Sequence, residues 1–311
     1  ELEAHESIVI TLSEGGYIKR IPANTYRNQH RGGKGVVSMN TKADDPVRHI
    51  LVVDTHDKLL FFTNTGRVLA LTSYELRPDT SRNTRGVPIV NVIPLATTEN
   101  IKAVFGVEDL EQEETFLVMA TKKGRIERVR LSTISLIRPS GLIMMRLKKD
   151  DELVSVKLAK EDEDIIMVSE QGMSIRFPVE KVTPHNRGAG GVRGMTLRSK
   201  DKVISMDVGG PESRLLVVSK YGYGKLTAFY NDKKGKDNYK TQGRGGIGVK
   251  TFNITSKTGK VAAAQIVDDS KEVYVVSEKA QVLRTNLSEI RSIGRITQGV
   301  RIFKPQPGDK V

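Results

Sequence analysis

The sequence has no cysteine, no tryptophan and no long apolar run among its 311 residues. The absence of cysteine excludes disulfides, thiolate metal sites and a cysteine nucleophile, and it suits a reducing cytoplasm. No apolar stretch approaches the roughly 18 residues of a membrane span, and no signal peptide opens the chain. The 5 histidines are scattered without an HExxH motif or metal-ligand spacing. We therefore expect neither a membrane segment nor a metal site.

The sequence has fewer acidic than basic residues: 37 Asp and Glu compared with 50 Lys and Arg. The formal net charge is therefore +13. So basic a chain is a candidate partner for a polyanion such as DNA, RNA or an acidic membrane surface. Its length favours two domains or an array of repeats. Because the chain begins at Glu1 rather than at methionine, we interpret it as a piece of a longer protein.

Internal repetition is the strongest feature of the sequence. Six segments each contain an apolar run, a Ser or Thr, two variable residues, a pivot that is usually glycine, and a second strand-like run: IVITLSEGGYIKRI, LLFFTNTGRVLAL, FLVMATKKGRIERV, IIMVSEQGMSIRF, LLVVSKYGYGKLTAF and VYVVSEKAQVLRT. β-Branched and aromatic residues favour strands, and glycine accepts the positive φ of a tight turn, so each segment predicts a β-hairpin. The pivots are Gly16, Gly66, Gly124, Gly172, Gly222 and, as the exception, Ala280, where we expect a different turn.

A second glycine follows each pivot and is itself followed by an apolar residue, at Gly35, Gly86, Gly141, Gly191, Gly248 and Gly299. A third strand is predicted to begin there and a fourth after a polar gap, although the sixth segment stops where its fourth strand should start. Four strands in roughly 50 residues indicate an all-β fold, a six-bladed β-propeller-like ring with four-stranded blades. The alternative is a β-solenoid, whose repeats are usually shorter and more uniform. We predict a single domain over 1–311, with repeats at 7–58, 59–115, 116–164, 165–213, 214–271 and 272–311.

Positive charge is concentrated between the hairpin pivot and the second glycine of each repeat, whereas the joints between repeats are often acidic, as at 108–114 and 161–164. In a ring, equivalent parts of the blades lie at equivalent positions, so the basic stretches would form a belt around the rim. Such a belt would hold duplex DNA mainly through phosphate contacts. The candidate rim residues are Lys19, Arg20, Arg27, Arg67, Arg82, Arg85, Lys122, Lys123, Arg125, Arg128, Arg138, Arg176, Arg187, Arg193, Lys225, Lys233, Lys234 and Arg244.

The sequence lacks the usual marks of a catalytic or nucleotide-binding propeller. We find no acid repeated at one fixed position, no tryptophan for a sialidase-type Asp box, no GxxxxGK[ST] loop and no GxSxG elbow. Residues 243–248 fit GxGxxG, but they lie between predicted strands rather than before a helix. We expect no catalytic residue and no cofactor in this chain.

One loop is more specific than the rest: Gln29, His30, Arg31, Gly32, Gly33, Lys34 and Gly35. Together with the six repeats and the basic belt, it resembles the C-terminal domain of the A subunit of bacterial DNA gyrase, over the whole chain. The box of that family reads Q-[RK]-R-G-G-[RK]-G, and only His30 departs from it, which removes one fixed charge at neutral pH. Residues 242–248 echo the box, but Ile247 replaces its last cation.

The resemblance implies a β-pinwheel, a propeller variant whose blades exchange strands, and DNA binding through the box and the rim. It implies positive wrapping of DNA, which presents the transported segment so that gyrase introduces negative supercoils, with ATP and Mg²⁺ bound elsewhere in an A2B2 holoenzyme. The implied partners are the breakage-reunion part of the same polypeptide and the ATPase subunit, in the bacterial cytoplasm and nucleoid, and the isolated domain is expected to be a monomer. Two alternatives stay open: a topoisomerase IV-type domain that binds DNA without strong wrapping, and a propeller that serves as a protein-interaction platform.

Overall fold

A computed structural model describes residues 3–23, 45–79, 84–267, 272–279 and 281–311. Their regular structure is strand, apart from short 3-10 turns at Ser73–Glu75, Ile89–Asn91, Leu131–Ile134, Val179–Lys181, Asp232–Lys234 and Leu287–Glu289. The all-β prediction is confirmed. Within the described ranges, no helix has the length and apolar character needed to cross a membrane.

The chain forms two compact units. The first unit comprises Glu1–Gln112 and Ile134–Ile143. Its strands are β1 (Ser7–Ser13), β2 (Tyr17–Pro22), β3 (Val47–Asp54), β4 (Lys58–Thr63), β5 (Arg67–Thr72), β6 (Val87–Pro88), β7 (Ile101–Val107) and β10 (Leu142–Ile143). They form two four-stranded antiparallel sheets, with the pairing orders β3-β1-β2-β6 and β10-β5-β4-β7.

The second unit comprises Glu113–Thr133 and Met144–Val311. Its strands are β8 (Phe116–Thr121), β9 (Arg125–Arg130), β11 (Leu153–Ala159), β12 (Asp164–Ser169), β13 (Met173–Pro178), β14 (Val192–Arg193), β15 (Val203–Gly209), β16 (Arg214–Ser219), β17 (Tyr223–Ala228), β18 (Tyr230–Asn231), β19 (Lys236–Asp237), β20 (Val249–Lys250), β21 (Val261–Ile266), β22 (Glu272–Val276), β23 (Val282–Asn286) and β24 (Val300–Arg301). Three sheets have four strands, in the orders β11-β8-β9-β14, β15-β12-β13-β20 and β21-β16-β17-β24, and the pairs β18-β19 and β22-β23 stand alone.

Every four-stranded sheet combines three strands of one repeat with a short strand from the next repeat. In the first sheet, for example, β6 of the second repeat pairs with β2, so that Val87 lies opposite Ile18. The same exchange brings β10, β14, β20 and β24 to the hairpins of the preceding repeats. The short third strand therefore carries its flanking residues to an edge of the neighbouring sheet.

In the second to sixth repeats, the second glycine makes this exchange sterically possible. At Gly191 (φ 67°), an added Cβ would lie 2.7 Å from the carbonyl oxygen of Ile126, on the strand that β14 joins. Glycine is required there both for its positive φ and for the close approach of two backbones. The pivot glycines Gly16, Gly66, Gly124, Gly172 and Gly222 also have positive φ, as the hairpin prediction requires. Ala280 lies outside the described residues.

The prediction of six four-stranded blades is wrong in number, because the described residues form five four-stranded sheets. The sixth repeat gives its third strand, β24, to β17 of the fifth repeat. Among the described residues, its own hairpin β22–β23 then has no further strand paired to it. Strand exchange thus gives the third strand of the last repeat to the sheet of the repeat before it.

Buried apolar side chains of neighbouring sheets pack on one another within each unit. In the second unit, Ile126 shares a cluster with Met167 and Ile175 of the next repeat. In the first unit, Ile10 and Phe61 belong to one cluster that joins the first two repeats. Each sheet therefore relies on a neighbour to bury its face, as expected for repeats that cannot fold singly.

Candidate nucleic-acid interface

The box predicted at Gln29–Gly35 lies outside the described residues, as do Arg27, Arg82 and the side chain of Lys233. Their roles as DNA contacts stay predictions. We call the seven residues that end at the second glycine the box loop of a repeat. After 29–35, the box loops are 80–86, 135–141, 185–191, 242–248 and 293–299.

Five of the predicted rim cations are buried. Lys19, Arg20, Arg128, Arg176 and Lys225 expose 7% or less of their surface. All five are the third or fourth residue of the second hairpin strand, which is covered on both faces so that consecutive residues are buried. A phosphate outside the protein has no access to these groups in this structure.

The arginine at the fourth position of this strand joins its repeat to the following one. The acceptors are Leu76 O for Arg20 (3.0 Å), Val179 O for Arg128 (3.3 Å) and Tyr239 O for Arg176 (2.9 Å). Each guanidinium also pairs with a carboxylate, at 2.6 Å with Glu3, 3.2 Å with Glu161 and 2.6 Å with Asp164, respectively. These hydrogen-bonded, paired charges hold successive repeats together.

In the first five repeats, the third position of the same strand bears a charge three times, and each time it contacts the box loop of the next repeat. The contacts are Lys19 Nζ to Thr84 O (3.0 Å), Gly191 N to Glu127 Oε2 (2.9 Å) and Lys225 Nζ to Gly294 O (3.0 Å). A lysine therefore binds loop carbonyls, whereas Glu127 binds a loop N–H. Burial lowers the pKa of Lys19, and it lowers the pKa of Lys225 to about 7.

Two further predicted cations, Arg67 and Arg125, begin the second strand and are half-buried. Arg67 Nη1 donates to Ser140 O and Arg125 Nε donates to Gly190 O, both at 2.7 Å and both in the next box loop. Arg67 also binds both carboxylate oxygens of Glu99, and this pairing lowers the pKa of Glu99 to about 2. Both arginines thus fix the shape of the neighbouring loop.

The remaining described cations of the predicted rim lie at the surface. Arg85, Lys123, Arg138, Arg187, Arg193, Lys234 and Arg244 are exposed, and Lys122 is half-buried beside Glu152 at 3.3 Å. The Arg85 guanidinium stacks 3.6 Å from the centre of the Tyr17 ring, which orients it. Arg187 and Arg244 are the third residues of their box loops, the position that Arg31 holds in the first repeat.

The sequence analysis missed three cations near this exposed set: Lys250 and Arg301, which are exposed, and Arg295, which is half-buried. Lys250 and Arg301 are exposed on exchanged strands, two residues after the second glycine, as Arg193 is. The sequence signal for Lys250 and Arg301 is a glycine–apolar–cation pattern, which recurs at 191–193, 248–250 and 299–301. Arg295 is the third residue of the sixth box loop, and that position would have found it.

In the second unit, the box-loop arginine lies against the exchanged strand of the preceding repeat. Arg244 Nη1 donates to Arg193 O at 2.9 Å, and Arg295 Nη1 donates to Lys250 O. Arg193 and Lys250 therefore each have a loop arginine of the next repeat beside them. Cations repeated in one local arrangement match the repeated charges of a phosphate backbone.

The expectation that no acid recurs at one position is wrong. Asp45, Glu99, Asp151, Asp201 and Asp309 each stand two residues before the fourth strand or its equivalent position. Four of these carboxylates accept a backbone N–H of the hairpin turn, as Asp201 does from Gln171 (3.0 Å). Their role is to cap turns. Within the described ranges, no group of three or more His, Cys, Asp or Glu side chains is arranged to hold a metal ion.

Comparison with solved structures finds the same fold. The chain is similar to the C-terminal domain of DNA topoisomerase IV, with a TM-score of 0.80, 23% identity, and coverage of 99% of this chain and 93% of that one. It is also similar to the C-terminal domain of DNA gyrase A, with a TM-score of 0.76, 28% identity, and coverage of 98% and 97%. The first likeness, at its low identity, shows the fold alone.

Comparison with curated sequences finds the A subunit of DNA gyrase. The protein of Dehalogenimonas lykanthroporepellens is 42% identical over 317 residues, which cover 100% of this chain and 38% of that protein. The protein of Staphylococcus aureus is 42% identical over 306 residues, which cover 98% and 34%. The chain thus spans about a third of these relatives. A family model for the DNA gyrase C-terminal domain, beta-propeller, matches residues 7–54, 57–105, 115–160, 163–208, 213–268 and 271–311. Because these matches run through all six repeats, the chain belongs to the DNA gyrase C-terminal domain family.

Proposed function

We propose that the chain binds duplex DNA without sequence specificity along its exposed cations and bends it in a positive sense. In the whole protein this wrapping would present the transported segment, so that DNA gyrase introduces negative supercoils using ATP. The chain itself would supply no catalytic residue. The ATP and Mg²⁺ would be bound elsewhere in the holoenzyme, formed with the breakage-reunion part of the same polypeptide and the ATPase subunit in the bacterial cytoplasm.

The observation that carries the proposal is the recurrence of one exposed cation on three successive exchanged strands: Arg193, Lys250 and Arg301. Isolated cations attract phosphate weakly, but a repeated set releases several counterions at once. Bending a duplex over a small protein costs several kcal/mol, roughly 1–6 for a site of 20–30 base pairs. Several repeated contacts offset that cost better than a single basic patch does.

Three buried or half-buried cations support the same proposal indirectly. Lys19, Arg125 and Lys225 donate to carbonyl groups of the neighbouring box loops and so hold these loops in one shape. A preorganised loop loses little conformational freedom when it binds a phosphate. We therefore assign DNA contact to the exposed cations and the box, and support of the box loops to Lys19, Arg125 and Lys225.

Ligation of nicked plasmid in the presence of the protein tests wrapping directly. If the chain wraps DNA in a positive sense, the sealed plasmid carries a positive change in linking number that grows with protein concentration. Affinity should also fall steeply as salt rises from about 50 to 200 mM. Tight binding with no linking change would reject wrapping and favour the topoisomerase IV-type alternative. An absence of binding at about 50 mM salt would reject DNA binding and favour a protein-interaction platform.

A further inference from the structure

Lys225 is fully buried on β17, beneath the sixth box loop. Its Nζ donates to Gly294 O (3.0 Å), to Arg295 O and to Thr297 Oγ1 (3.2 Å). An ammonium has three N–H donors, so these three acceptors satisfy it completely. A buried cation is thus held entirely by one loop of the next repeat.

The loop that Lys225 holds carries Arg295. Two of the three acceptors are the backbone carbonyls of Gly294 and Arg295. Lys225 therefore fixes the backbone immediately before and after the Arg295 Cα. The Arg295 guanidinium in turn donates to Lys250 O, beside the exposed Lys250 side chain. The position of Arg295 therefore depends on the Lys225 ammonium.

We infer that Lys225 is a positioning residue for DNA, which sets the sixth box loop so that Arg295 meets a phosphate. This inference rests on the proposed DNA binding and names a residue that acts without touching DNA. The equivalent positions support it, since Lys19 binds Thr84 O and Glu127 binds Gly191 N in the box loops above them. The same strand position serves the same purpose in three repeats.

The interaction between the charges of Lys225 and Arg295 should make DNA affinity depend on pH. Burial, and then the nearby charge of Arg295, lower the pKa of Lys225 to about 7. The uncharged Phe252 ring has its centre 5.7 Å from Nζ. Tyr239, which also interacts with the charge of Arg295, is neutral near pH 7 because burial raises its pKa to about 12. A phosphate bound at Arg295 would counter the guanidinium charge and favour the Lys225 ammonium. DNA binding should therefore take up a proton, and affinity should fall as pH rises through about 7.

A double-mutant cycle tests the inference with duplex DNA as the probe. Lys225→Met, Arg295→Ala and the double variant of the 311-residue chain are titrated with DNA at several salt concentrations and from pH 6 to 8.5. We expect each single change to lower the slope of log affinity against log salt by about 1, and the double change to lower it by about 1 as well. Lys225→Met should also make DNA affinity depend less on pH than it does in the wild type. All variants contain the same histidines, so the comparison between variants removes the histidine contribution.

The outcomes separate this inference from the proposed function. If the wild type does not bind DNA at low salt, both fail. If the wild type binds but the double variant loses about 2 units of slope, or Lys225→Met keeps the wild-type slope and pH profile, only the positioning role fails. Should Lys225→Met not fold, Thr297→Val removes one acceptor and keeps the lysine. Loss of an acceptor disfavours the ammonium, so the pH midpoint should move down, and an unchanged midpoint would reject the inference.

Discussion

Nη2 of Arg176 lies 2.6 Å from Oδ2 of Asp164, and both side chains are largely buried. The same guanidinium donates to Tyr239 O of the next repeat and lies 4.7 Å from the centre of the Phe229 ring. Asp164 begins β12 and Arg176 lies on β13, both in the sheet of the fourth repeat, whereas Tyr239 and Phe229 belong to the fifth repeat. A residue that the sequence assigned to a DNA-binding rim therefore sits in the contact between two repeats.

Substitution of Arg176 by alanine should destabilise the protein strongly. It would leave the Asp164 carboxylate buried without its cation and remove a hydrogen bond between repeats, at a cost of ~3 kcal/mol. Urea unfolding would measure the loss. The matched control is Arg187→Ala, an exposed arginine whose removal should change the unfolding free energy by no more than about 0.5 kcal/mol. A stable Arg176→Ala protein with a reduced salt slope for DNA would instead support direct phosphate contact.

The sequence predicts the repeats and their hairpins well, because both follow from local chemistry. Glycines that need positive φ recur at fixed places, and apolar runs mark the strands on either side of them. It does not predict which cations are buried. Lys19 and Arg20 are adjacent on a strand, and strand alternation would expose one of them, yet both are buried. Partners such as Thr84 O and Leu76 O come from the next repeat, which local patterns do not show.

The exchanged-strand cations should carry a measurable part of DNA binding. Replacement of Arg193, Lys250 and Arg301 by alanine should lower the salt slope by about 3, since each phosphate contact contributes roughly 0.9. Fluorescence anisotropy with a labelled duplex at several salt concentrations would measure it. Removal of the same charge at Lys148, Arg198 and Lys304, which are also exposed, is the control. An equal loss from both triple variants would mean that net charge matters and the particular strand positions do not.

The first box should control wrapping more than affinity. Arg31→Ala together with Lys34→Ala removes two of the many cations, so much of the binding should remain, whereas the linking change in the plasmid ligation assay should vanish. Arg138→Ala, which changes an exposed arginine of the third box loop, should leave the linking change largely intact. Loss of all affinity in the double variant would contradict the separation of wrapping from binding.

Acid should weaken the first unit through Glu99. The hydrogen bonds from Arg67 hold the pKa of this carboxyl near 2, below its ordinary value of about 4.5. Because the folded-state pKa is the lower one, the ionised carboxylate contributes stability above about pH 4.5, and this contribution is lost as pH falls towards 2. Thermal melting between pH 6 and 2.5 should therefore show a smaller decline in Tm for Glu99→Gln than for the wild type. At pH 6 the Tm of Glu99→Gln should already be the lower of the two. Glu163→Gln, which changes a carboxyl that accepts a single backbone N–H from Lys160, is the control and should follow the wild-type decline more closely. Parallel curves for Glu99→Gln and the wild type would show that the Arg67 pair contributes little to acid unfolding.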